Sequence, residues 1–85
     1  MTDLNRTGSA LQEQAVQHLC RVLRSARETR GLTQAQIAES AGMTRNHYQL
    51  LEAGRSATGD LANPRLSTIC ALANVLELPL GDLLA

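Results

Sequence analysis

A glycine at position 42, with a short run of helical spacing on either side, leaves few folds open to this chain. Residues 33–54 read TQAQIAESAGMTRNHYQLLEAG. Thr33 followed three residues later by Gln36 is a capping-box pattern, so a helix is expected from Gln34 that turns Ile37 and Ala38 inward. Gly42 ends it, because the chain must reverse there and positive φ costs glycine nothing; Met43 is expected to plug the turn. Thr44 is the next N-cap. A second helix then follows, with Tyr48 and Leu51 inward, Arg45, Asn46, His47 and Gln49 outward, and Gly54 as a left-handed stop. Two short helices about a tight turn make a helix-turn-helix, whose second helix lays its first residues in the DNA major groove.

The rest of the composition agrees with an all-α domain. An 85-residue chain buries only about 60 to 65 per cent of its unfolded surface, so its core must be economical. The chain is 44% hydrophobic with one aromatic, Tyr48, and that core of Leu, Ala, Val and Ile suits packed helices better than a sheet. Residues 1–20 lack a secretory pattern, and no run approaches the roughly 20 apolar residues of a membrane span. A cytoplasmic protein with no membrane partner is therefore expected, associated with the nucleoid when bound to DNA. Cys20 and Cys70 fit no metal spacing. Cys70 shares a face with Leu66 and Ala73 and is expected in the core, whereas Cys20, beside Arg21 at the edge of an apolar stripe, is either a small hydrophobe or a redox-sensitive thiol.

Net charge is zero, from 8 basic and 8 acidic residues, although phosphate attraction usually supplies much of a DNA-binding protein's affinity. The distribution is uneven. Residues 1–32 carry Arg6, Arg21, Arg24, Arg27 and Arg30 against Asp3, Glu13 and Glu28 (5 − 3 = +2), and residues 66–85 carry only Glu77 and Asp82 (−2). Every basic residue is Arg, which forks onto guanine or phosphate where lysine acts as a point charge.

Taken in order, residues 1–8 are expected as a flexible N-terminal tail and 9–85 as a single domain. Ser9 to Gln12 is a second capping-box pattern, opening a helix to about Thr29 with Leu11, Ala15, Leu19, Val22, Leu23 and Ala26 at helical spacing. Arg21, Arg24, Arg27 and Arg30 wrap around that helix as a solvated face, with Arg30 and Arg27 near enough to the motif to reach phosphate as the alternative. Residues 55–64 form a loop of turn formers. A fourth helix, from about Arg65 to Leu76, is expected to bury Leu66, Ile69, Cys70, Ala73 and Leu76. Pro79 then stops the chain, and Leu80 to Leu84 form a fifth short helix.

In register, Gly31-Leu32-Thr33-Gln34, Ile37-Ala38, Ala41-Gly42, Thr44, Leu51-Glu52-Ala53-Gly54, Asn63-Pro64, Ile69, Leu72-Ala73, Leu76 and Leu83-Leu84 resemble the Cro/cI type of helix-turn-helix protein, also called the xenobiotic-response-element (XRE) type. The resemblance covers roughly residues 20 to 85. It implies a compact bundle of about five helices of the lambda-repressor-like type, with the helix-turn-helix at helices 2 and 3. Three departures stand out. The first helix begins early, so residues 9–18 either pack on a partner or overhang in solvent; the 55–64 loop is about five residues longer and carries Asp60; and Glu77 stands where the family commonly has glycine.

The residue chemistry assigns a site. Arg45 can fork onto guanine O6 and N7, and Asn46 can bracket adenine N6 and N7. The resemblance places Gln49 and Leu50 at the groove or its rim, Leu50 having a core reading beside the groove one. Phosphate contacts are expected from Gln34, Thr33 and the free N–H groups at the start of the first motif helix, and from Thr44, His47 and Arg55. Asn63 either donates to phosphate or caps the fourth helix with Pro64 at its first position. Glu52 is expected to pair with the first helix.

The expected function is a sequence-specific regulator of transcription, bacterial or phage, that binds an inverted-repeat operator on double-stranded DNA as a homodimer, with RNA polymerase a possible partner. Leu80, Leu83 and Leu84 form one possible dimer seam, and the helix extension at 9–18 is its rival. The alternative is an antitoxin-like protein-interaction module on the same fold, partnered by a toxin, with DNA binding autoregulatory. An enzyme is not expected, since His18 and His47 fall on separate helices and no nucleophile sits beside a base; no metal or cofactor is called for.

Overall fold

A computed structural model describes the backbone of residues 4–84 and the side chains of residues 10–84. Five helices follow in order: α1 (Leu4–Thr29), α2 (Gln34–Ala41), α3 (Arg45–Glu52), α4 (Leu66–Leu76) and α5 (Leu80–Leu84). Helix α1 has 26 residues, about 39 Å at 1.5 Å per residue, and it accounts for most of the 47 Å long axis of the molecule. It starts five residues before the Ser9 capping pattern and passes straight through Gly8, so residues 4–8 are helical where a tail was expected. Residues 1–3 of that expected tail lie outside the described residues.

The core is assembled from one stripe of each helix. Val16, Leu19 and Leu23 come from α1, Ile37 and Ala38 from α2, Tyr48 and Leu51 from α3, and Leu72, Ala73 and Leu76 from α4. Each fully buried leucine or isoleucine contributes about 1.5 to 3 kcal/mol. Leu83 is buried in the same core, Leu80 packs half-buried against it, and Leu84 stays exposed.

The ends of the elements follow local chemistry. Thr33 and Gln36 form both bonds of the capping box, Gly42 closes α2 at φ 73°, and the Thr44 hydroxyl accepts from His47 N–H at 3.1 Å to open α3. Glu77 ends α4 in the left-handed region at φ 55°, the strained alternative at a position where glycine would be unstrained. Arg65, not Asn63, occupies the N-cap of α4, with no side-chain bond, so Asn63 does not cap it and Pro64 precedes the helix.

Four side chains expected inward point out. Leu66 and Leu11 are each 62% exposed, and Ala15 and Cys70 are also exposed. The first turn of α4 and the first half of α1 run past the edge of the body they pack on, whereas Cys70, in the second turn of α4 between buried Ile69 and Leu72, faces outward from a packed stretch.

Candidate nucleic-acid interface

Helix α3 is fixed at its C-terminal end. The Glu52 carboxylate, with its side chain only 2% exposed, receives the Arg27 guanidinium through two bonds of 2.9 Å, Arg24 at 3.4 Å and the Gln34 amide at 3.4 Å. Burial pushes this carboxyl up, but the hydrogen bonds and positive charge outweigh it and hold the group at about 2. Arg27 also donates to Leu32 O at 3.0 Å. It is therefore a structural cation committed to α3, which corrects the reading of Arg27 as a phosphate contact. The Tyr48 hydroxyl is buried beside this pair without a hydrogen bond of good geometry, and burial followed by the nearby Glu52 charge raises its pKa.

At the other end and along the outer face the polar groups are free. Arg45, Asn46, His47 and Gln49 are exposed, and their side chains have no hydrogen-bond or ion-pair partner among the described residues. Leu50 is half-buried and divides its surface between the body and the outer groove. Two hollows flank this face. One, of about 640 Å³, brings Arg45 together with Thr33, Gln34 and the start of α2. The other, of about 240 Å³, brings Thr44, Asn46, His47 and Leu50 together with Arg55 and Asn63. Of the ten residues assigned in the sequence to base or phosphate contact, only Gln49 lines neither hollow.

The long connection after α3 is a closed structure. Gly54 at φ 77° turns the chain, Arg55 and Leu61 form an antiparallel bridge, and Ser56 N–H donates to Asp60 O at 2.8 Å. Inside the loop, Thr58 Oγ1 lies 2.9 Å from Ser56 Oγ and donates to Asp60 Oδ2 at 2.9 Å. Asp60 is thus occupied within the loop while Arg55 faces the hollow beside α3. The sequence offered no direct signal for this closure beyond its turn formers.

Arg30 pairs with Glu77 on the surface, away from both hollows. Cys20 is half-buried with its thiol near Leu51 O at 3.5 Å, and burial raises its pKa, which argues against a reactive thiolate. None of the described helices is long and apolar enough to cross a membrane.

A capped helix, a left-handed glycine turn and a second capped helix with an open polar face define a helix-turn-helix bundle. A family model described as a helix-turn-helix domain matches residues 18–85, most of the chain, and the chain belongs to that family, in keeping with its resemblance to the Cro/cI type. Membership implies a DNA-binding protein. No curated protein and no solved structure gives a significant match.

Proposed function

We propose that this chain is a sequence-specific regulator of transcription that binds an inverted-repeat operator as a homodimer. What carries this reading is the contrast on α3, where Glu52 is buried and paired while Arg45, Asn46 and Gln49 are exposed and unpaired. An α-helix fits the major groove, and Arg45 and Asn46 at its first turn are the base readers, with Gln49 and Leu50 on the same face. Thr33, Gln34, Thr44, His47, Arg55 and Asn63, around the two flanking hollows, hold phosphate. Gln34 is held toward Glu52 by one donor of its amide, leaving the second for a phosphate oxygen.

One such helix reads few bases, and each bidentate pair is worth about 1 to 3 kcal/mol of discrimination, so specific binding calls for two copies. Two-fold symmetry places their recognition helices roughly 34 Å apart. Selection of bound duplexes from a randomised pool at near-physiological salt tests the reading. Enrichment of an inverted repeat with half-sites about ten base pairs apart is expected. A pool that stays random would sink it and favour the antitoxin-like interaction module.

A further inference from the structure

Apart from the two hollows beside α3, a groove of about 580 Å³ runs along α1 from His18 to Arg30, a length of about 18 Å at 1.5 Å per residue. Val22, Ala26, Leu76 and Leu78 make its floor. Leu76 is buried in the core, whereas Val22, Ala26 and Leu78 pack on the core and remain half open to water. Each end of the groove is tied across the fold. At one end the His18 ring donates from Nε2 to Asp82 O at 2.7 Å, and at the other Arg30 pairs with Glu77 at the close of α4. The tied residues stand 64 and 47 positions apart in the chain, so the groove is set by the fold before any ligand arrives. Its charge is one-sided. Among the described residues Glu77 is the only acid that lines it, and Glu77 is engaged by Arg30. That leaves Arg21 on the rim, exposed and without an ion-pair partner among the described residues. Glu28, the other acid of this part of α1, lines only the neighbouring hollow over the ridge of the helix.

We infer that this groove seats an amphipathic helix of another protein, one that presents apolar side chains on one face and a carboxylate beside them. Two features select that occupant. The first is length. A helix laid in a groove anchors through residues at i, i+3, i+4 and i+7, which span about 10 Å and fit within the apolar floor. The second is charge complementarity. An apolar floor accepts either sign at its edge, but the unpaired Arg21 guanidinium forks onto a carboxylate and rejects a cation. No residue lining this groove lines either hollow beside α3, so it stays open when they are filled and the chain holds a duplex and a partner at once.

A displayed library of random peptides, selected against the full chain, tests this without DNA. Enrichment is expected for peptides with apolar residues at helical spacing and an Asp or Glu among them. A synthetic copy of an enriched peptide should bind saturably and gain helicity by circular dichroism. Arg21→Glu and Ser25→Glu, both at exposed positions on the rim and with the fold of each variant checked by its melting curve, each weaken that peptide by about tenfold or more. A peptide with Lys in place of its acid regains affinity for the Arg21→Glu variant, which a purely structural role for Arg21 would not produce. A pool that stays random, enriched peptides without an acid, affinity indifferent to both variants, or a charge exchange without recovery overturns the inference. So does a dimer of the chain that Arg21→Glu dissociates in sedimentation equilibrium, which would put a second copy in the groove. Arg45→Ala, which tests base reading, leaves peptide binding unchanged, so an operator selection that fails and a groove that stays empty are told apart.

Discussion

The two ends of α3 obey opposite rules. At the C-terminal end Tyr48, Leu51 and Glu52 are buried, and the one charge among them has three donors. At the N-terminal end Arg45, Asn46 and His47 are exposed, and only their backbone is engaged, through the Thr44 cap. Burial without a partner is costly for a charge, so the inner end had to be satisfied within the chain. The outer end carries no such requirement in water and keeps its donors for a ligand. An eight-residue helix is too short to be stable alone, and it is the anchored end that holds the free one in place.

The sharpest way to break the comparison is at the anchor. Glu52→Ala leaves the half-buried Arg27 without its counter-charge and is expected to cost about 3 kcal/mol, which for a domain this small is a large part of its stability in a denaturant titration. Acid does the same reversibly. Because the Glu52 carboxyl is held at about 2 against an ordinary 4.5, its contribution is fully present above the ordinary value and is lost as pH falls toward the lower one. Thermal melts stepped from neutral pH to pH 2 should show a fall within that window that Glu52→Gln, already destabilised at neutral pH, largely lacks.

At the free end the order of effects reverses, with binding affected and stability spared. Arg45→Ala should leave the melting temperature unchanged and remove about 1 to 3 kcal/mol of discrimination at one base position, read by competition with single-base operator variants. Thr44→Ala lies between the two ends. Loss of its bond to His47 N–H should cost about 1 kcal/mol of stability. The smallest effect belongs to a site outside α3: Glu77→Gly relieves a left-handed non-glycine residue and should stabilise by about 0.5 kcal/mol, its exposed pair with Arg30 offsetting little.

The motif was legible in the sequence because its signals are local. Thr33, Gln36, Gly42 and Thr44 act within four residues of themselves, and both caps and the left-handed turn stand where the spacing put them. The pairing of Glu52 with the first helix was legible too, since a lone acid at the inner end of an amphipathic helix needs a cation. Which cation was not, because four arginines recur on α1 and only the fold brings Arg27 and Arg24 within reach. Leu66 and Leu11 were misread for the opposite reason. Periodicity reports the direction of a side chain and says nothing of whether a neighbouring helix extends far enough to cover it. The closure of the 55–64 loop depends on a bridge between Arg55 and Leu61 that no short-range pattern announces.

The Gln34 bond to Glu52 has a consequence for measurement as well as for strength. One carboxylate touches the first residue of α2, the last residue of α3 on which it stands, and the flank of α1. It works as a gauge block, setting the span between the first turn of α2 and that of α3. On the proposed reading, that span is matched to the step from a phosphate to the base edge beside it. A substitution that kept the fold but lengthened this spacer would then shift the register of the whole protein along the duplex.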